Sequence, residues 1–216
     1  MKVLNLYACL GGNRLLWSDC EVTAVELDPE LARMYKERFP NDTVIVADAH
    51  QYLLDHYKEF DFIWSSPPCP SHSKVRFTQK NQHFYIPEYP NMMLYQEIIF
   101  LQHHFTGKYV VENVIPYYEP LIPAQKRGRH LYWANFHVPM NIDRQEGKGF
   151  MCGQANNEYS KLLNFHKIKK SFIDTYKGKQ SKTKILRNLV DYEVGNAIFE
   201  IARGKKLIDK KNYELF

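Results

Sequence analysis

The stretch EVTAVELDPELARMYKERF, residues 21–39, holds a strand, a junction and a helix in direct succession. Val22, Ala24 and Val25 make its first half apolar, as a buried strand requires. Asp28 then stands where a helix N-cap belongs and Pro29 takes the first helical position. Leu31, Met34 and Tyr35 fall on one helical face. The same unit recurs on either side. Upstream, KVLNLY is a short apolar run from Val3 to Tyr7 that ends in ACLGGN, and RLLWSD follows with helical character. Downstream, DTVIVAD reads as a third strand and AHQYLLDHYKEF as a helix. FDFIWSS is a fourth strand, MMLYQEIIFLQHHF a long amphipathic helix, KYVVENV a fifth strand and RHLYWANF a sixth. Strands alternating with helices predict an α/β fold with a doubly wound, mostly parallel sheet. No internal repeat is present.

The rhythm breaks at residues 137–184. This segment is polar, rich in Lys and Asn, and carries Gly147, Gly149, Gly153 and Gly178. We read it as a small polar lobe between a main domain, residues 1–136, and a return segment with a basic tail, residues 185–216. The chain has 216 residues, enough for one good core. No apolar run reaches the roughly 20 residues of a membrane span, and the N-terminus is too short and strand-like for a signal peptide. Cys9, Cys20, Cys69 and Cys152 contain no C-x-x-C pair, which points to free thiols in a reducing intracellular setting rather than to zinc or a disulfide framework. Charge is unevenly spread around the net +5. There are eleven acids against six Lys and Arg through Asp61, but nine Lys and Arg against one acid from Lys161 to Arg187. A polyanion partner docked on one side fits this asymmetry, and so does a solvated lysine-rich surface.

In doubly wound sheets ligands sit at the carboxyl ends of the strands. At the first exit Gly11 and Gly12 permit a tight turn before a helix. At the second, Glu26 suits ribose hydroxyls, while Asp28 reads as the helix cap. At the third, Asp48 either accepts from an adenine amino group or caps the next helix. There is no phosphate loop of the G-x-x-x-x-G-K-[ST] type, so these acids suit a nucleoside with little phosphate. At the fourth exit, in DFIWSSPPCPSHS, Pro67 and Pro68 stiffen the approach to Cys69 and present its thiol at a fixed place. The alternative is a buried structural cysteine, which the flanking serines and His72 disfavour. At the fifth, Glu112 and Asn113 emerge toward the same crevice. Arg127 and Arg129 precede the sixth strand with planar donor forks.

Taken in order, these blocks resemble the motifs of the cytosine-C5 DNA methyltransferases. NLYACLGGN resembles the cofactor loop, VELDP the ribose-binding acid and VAD the adenine-binding acid. SSPPCPSHS resembles the catalytic Pro-Cys motif, VVENV the Glu-Asn-Val motif and QKRGR the Gln-x-Arg-x-Arg motif. EVGNAIFEIA resembles the late motif that completes the cofactor pocket. The resemblance implies the fold of S-adenosylmethionine-dependent methyltransferases and that cofactor, held by Tyr7, Gly11, Gly12, Glu26, Leu27, Asp48, Pro67 and Asn196. It implies Cys69 as the nucleophile at C6 of a cytosine flipped out of duplex DNA, Glu112 at N3, Arg129 at O2, and Asn113 positioning the Glu112 strand. It implies DNA contacts by Ser71, Ser73, Lys74, Arg76 and Arg127, some on a mobile loop after Cys69, and target recognition by the 137–184 lobe.

Several positions depart from the family pattern. Asn5, Tyr7 and Cys9 stand where the family loop has Asp, Phe and its first Gly. Pro70 and His72 replace a Gln and an aromatic, and Arg187 is the one candidate for the arginine of the block before the last motif. The recognition lobe is small. An RNA substrate stays open, since one branch of the family methylates tRNA; so does a non-catalytic cofactor-binding or partner subunit. Also open are a recognition partner, a cognate endonuclease and the biological role, whether restriction-modification, self-protection or epigenetic marking. The compartment expected is cytoplasmic in a bacterial or phage-infected cell, or nuclear in a eukaryote.

Overall fold

The computed structural model of the chain describes residues 1–74, 88–140, 142 and 155–205. Among them the strands are β1 (Lys2–Leu6), β2 (Glu21–Glu26), β3 (Thr43–Val46), β4 (Phe62–Ser65), β5 (Lys108–Val114), β6 (Gln125–Arg127) and β7 (His130–Ala134). They form one sheet in the order β3-β2-β1-β4-β5-β7-β6. Strands β1 to β5 pair in parallel, whereas β7 runs antiparallel to both β5 and β6. The predicted α/β, doubly wound and mostly parallel sheet is present. The sequence reading did not separate β6, which at three residues is too short to show a period.

Helix α1 (Pro29–Arg38) begins as the sequence predicts: the Asp28 carboxylate accepts from the backbone N–H groups of Glu30 and Leu31. Helix α2 (Ala49–His56) is capped in the same way by Asp48, which accepts from the N–H of Gln51. Helix α3 is Met93–His104. RLLWSD does not form the expected helix. Its backbone makes isolated turns, and its side chains are bound elsewhere. Arg14 pairs with Asp42, and Trp17 stacks on Phe199 at 5.0 Å and donates to the carbonyl of Gly195. Tertiary contacts override local propensity there.

Side chains alternate across the sheet with the period of two that strands impose. Leu4, Leu6, Ile63 and Val111 face a core with Leu53, Leu94, Ile98 and Leu101 of α2 and α3. Val3, Phe62, Trp64 and Val110 face the opposite side, where α7 (Tyr192–Ala202) buries Val194, Ile198 and Phe199 against them. The segment around 137–184 carries helices that the sequence reading did not assign: α4 (Ala155–Phe165), α5 (Lys170–Ile173) and the start of α6 (Lys182–Arg187). Leu162, Leu163, Ile173, Ile185 and Leu186 pack with Leu10, Leu31 and Met34 in a third cluster. Arg76 with the basic and aromatic loop around it, Gly147 to Gly153 with Cys152, and the tail after Lys205 lie outside the described residues. Among those described, no helix is long and apolar enough to cross a membrane.

Gly195 lies inside α7, where glycine normally weakens a helix. A Cβ there would meet the Cα and the carbonyl oxygen of Asn13 at 2.5 Å, and both are backbone atoms that cannot swing away. Gly195→Ala therefore lowers stability by about 2 kcal/mol despite its better helix propensity, and Tm by about 5 °C. A thermal melt with Tm unchanged or raised would refute this packing.

Candidate active site

The chain runs outward from β1 through β2 to β3, then returns to place β4 on the other side of β1. This reversal opens a crevice beyond the carboxyl ends of β1 and β4, the position where doubly wound sheets bind ligands. Its volume is about 1060 Å³, and it continues past the exit of β5 to β7, α4, α6 and α7.

One half of the crevice is built from the first three strand exits. After β1, Tyr7 and Cys9 both adopt left-handed backbone, with φ of 56° and 47°. For residues with a Cβ this costs about 1 kcal/mol each; at Cys9 the family loop has a Gly that would avoid it. Burial pushes the Cys9 thiol up to about 12, so it stays protonated. Asn5 is tied to Asn13, whose amide donates to its oxygen at 2.8 Å. The Glu26 carboxylate accepts from the backbone N–H groups of Cys9 and Asp28 at 2.8 and 2.9 Å. Burial nonetheless raises its pKa, against the lowering effect of those N–H groups. Leu27 beside it is 68% exposed and lines the crevice. Asp48 lines it too while capping α2, so the two readings of that residue are compatible. Asp28 is fully engaged as a cap and by the Tyr176 hydroxyl.

Gly11 and Gly12 do not line the crevice. Gly11 turns the chain with φ of 67°, and Gly12 lets the carbonyl of Val190 approach to where a Cβ would be. Gly12 thereby brings Leu189 and Val190 up to the wall from behind, while Gly11 packs against the rings of Tyr35 and Phe39. Asn196 is also absent from the lining; α7 and the residues before it contribute Asp191 and Val194 instead. The late motif reaches the crevice through Val194, two residues before Asn196.

The other half holds Cys69, Glu112, Asn113, Arg129 and His130. Asn113 is buried and donates to the carbonyl of Pro67 at 2.9 Å, while its own oxygen accepts from the N–H of Val114. It thus ties the strand bearing Glu112 to the loop bearing Cys69. Burial raises the Cys69 thiol, the Glu112 carboxylate raises it further, and Lys184 of α6 acts in the opposite direction. Glu112 is 8% exposed, and His130 Nε2 lies 3.6 Å from its Oε1. Arg129 is exposed at the rim, and its guanidinium makes no hydrogen bond among the described residues.

Three expected substrate contacts are engaged within the protein itself, although Arg127 also lines the crevice. Arg127 is buried, and its guanidinium donates to the carbonyls of Lys126, Val138 and Pro139 and to Gln125 Oε1, holding the irregular segment after β7 in place. Ser71 is buried and accepts from the N–H of Asn91, closing the loop after Cys69. Ser73 forms an antiparallel bridge with Pro116. Lys74 is exposed beside them. The sequence reading missed Glu97, His50, His130 and Lys184. A legible signal existed for Glu97 alone: an acid on the apolar stripe of α3 with Leu94, Ile98 and Leu101.

Sheet order and crevice define an α/β protein of the S-adenosylmethionine-dependent methyltransferase fold. Two solved structures match it along nearly their whole lengths. The S. pombe Dnmt2 methyltransferase has a TM-score of 0.58 at 10% identity, covering 94% of this chain and 98% of that one. The Entamoeba histolytica methyltransferase EhMeth has a TM-score of 0.55 at 10% identity and the same coverage. A Spodoptera frugiperda DNMT2 variant matches at 27% identity with a TM-score of 0.38 over 52% of this chain, and the chain covers 35% of that protein. No curated protein matches the chain significantly. Residues 1–115 match the family described as C-5 cytosine-specific DNA methylase. The chain belongs to that family, and the membership implies S-adenosylmethionine as its cofactor. The crevice fits such a group: an adenosine needs polar acceptors beside an apolar wall, and Glu26 and Asp48 stand there with Leu27 and Pro67.

Proposed function

We propose that this protein is a cytosine-C5 methyltransferase that acts on DNA through a covalent bond from Cys69 to C6 of a flipped cytosine. The observation that carries the reading is the convergence of Cys69, Glu112 and Arg129 on one crevice whose other half carries Glu26 and Asp48. Cytosine C5 is a poor nucleophile until C6 is attacked. The Cys69 thiolate adds to C6, and Glu112, protonated or sharing a proton with the base, delivers it to N3. Arg129 takes the negative charge that builds on O2. Asn113 keeps the loop and strand in register through Pro67. Glu26, Asp48, Leu27 and Tyr7 would hold S-adenosylmethionine, which supplies an electrophilic methyl group for C5. Water takes the C5 proton, N3 returns its proton to Glu112, and the C6–S bond breaks to release Cys69 as the thiolate. Unpairing and unstacking the cytosine costs a few kcal/mol, which contacts to the phosphates offset. Lys184 and the lysines of the basic stretch around it suit such contacts.

The test is transfer of labelled methyl from S-adenosylmethionine to unmethylated DNA and to tRNA in parallel. Label at cytosine C5 of DNA is the expected result. Label confined to tRNA would move the substrate and keep the chemistry. S-adenosylhomocysteine binding without transfer to either would replace the enzyme with a binding subunit.

A further inference from the structure

Glu97 is a carboxylate with no exposed surface, set in the middle of α3. A buried acid of this kind is strongly unfavourable unless donors surround it. Three donors do. The Tyr7 hydroxyl donates to Oε1 at 2.5 Å, His50 Nδ1 lies 3.1 Å from the same oxygen, and the Ser65 hydroxyl donates to Oε2 at 2.6 Å. Burial, then the Glu97 charge, push the Tyr7 pKa far up, so its hydroxyl keeps the proton it donates. The hydrogen bond to Glu97 likewise raises His50, with Asp48 adding to the effect.

The three donors come from three separate strand exits. Tyr7 follows β1, in a left-handed conformation. His50 is the second residue of α2, directly after Asp48 and Ala49. Ser65 ends β4, two residues before Pro67. Tyr7, Asp48 and Pro67 all line the crevice. Tyr7 also stands where the family loop has Phe, so its hydroxyl is a feature of this chain.

We propose that Glu97 is the positioning residue of the cofactor half of the crevice, fixing the Tyr7 ring, the start of α2 and the approach to Cys69 in one arrangement. This rests on the reading that the crevice binds S-adenosylmethionine. Glu97 has no surface with which to touch that molecule, so it acts through Tyr7 and its neighbours.

Calorimetric binding of S-adenosylhomocysteine tests it on four proteins: wild type, Tyr7→Phe, Glu97→Gln and the double variant. Tyr7→Phe keeps the ring and removes one oxygen atom; its Kd rises about tenfold. Glu97→Gln raises Kd at least as much, and the double variant binds no worse than Glu97→Gln, because both changes cut the same link. In the transfer assay Tyr7→Phe raises KM for S-adenosylmethionine more than it lowers kcat. Should Glu97→Gln fail to fold, Tyr7→Phe decides alone. An unchanged Kd for Tyr7→Phe, or additive effects in the double variant, would overturn the proposal while leaving the reading beneath it intact. A wild type that does not bind S-adenosylhomocysteine would overturn both.

Discussion

Cys69→Ser abolishes methyl transfer, by at least about a thousandfold, and leaves S-adenosylhomocysteine binding in place. A serine hydroxyl is not ionised near neutral pH and is a poor nucleophile without a base beside it. The change is otherwise small, one sulfur for one oxygen on a loop that Asn113, Ser71 and Ser73 hold by their own contacts. Burial and Glu112 hold the resting thiol above its ordinary range, so in the free protein most of it is protonated at neutral pH. Because the pKa is raised, alkylation of Cys69 is slow at neutral pH and rises about tenfold per pH unit until the pKa is reached. A Cys69→Ser protein that still transfers methyl would end the covalent mechanism.

Glu112→Gln acts in two opposite directions. It removes the group that supplies the proton to N3, and transfer falls about a hundredfold or more. It also removes a negative charge that raises the Cys69 pKa, so the thiol of the variant alkylates faster than that of wild type at the same pH. A general loss of structure would slow transfer without accelerating alkylation. Measuring both rates on one preparation therefore separates catalysis from folding. If transfer were unaffected, Glu112 would not be the acid, and its 3.6 Å neighbour His130 would be the next group to test.

Much of this was legible in the sequence because local rules and global fold agree at those points. Asp28 and Pro29 announce α1 through capping geometry alone, and the apolar runs in KVLNLY and FDFIWSS are strands whose two faces meet different cores. The strand-exit rule places Cys69, Glu112, Glu26 and Asp48 on one crevice without any coordinate. What sequence could not supply was the destination of each polar side chain. Arg127 and Arg129 are two residues apart and read alike, yet one is spent on backbone carbonyls and the other stands at the rim. Gly11, Gly12 and Asn196 sit within the right motifs yet off the crevice lining; for Gly12 the deciding contact is the Val190 carbonyl, as far along the chain as Gly195 is from Trp17, 178 residues away. Lys184 and Leu162 reach the crevice from helices that no periodicity had marked.

That long separation also bears on how the molecule is made. The face of the sheet bearing Val3, Phe62 and Trp64 is covered by Val194, Ile198 and Phe199. A ribosome therefore delivers an almost complete sheet, with one greasy side bare, well before it delivers the helix that seals it. Contacts so distant along the chain close slowly, and a half-made sheet is prone to stick to its neighbours in the meantime. For a cell making this protein, the vulnerable moment is the interval between the emergence of β7 and the emergence of α7. A holding chaperone would act in that interval.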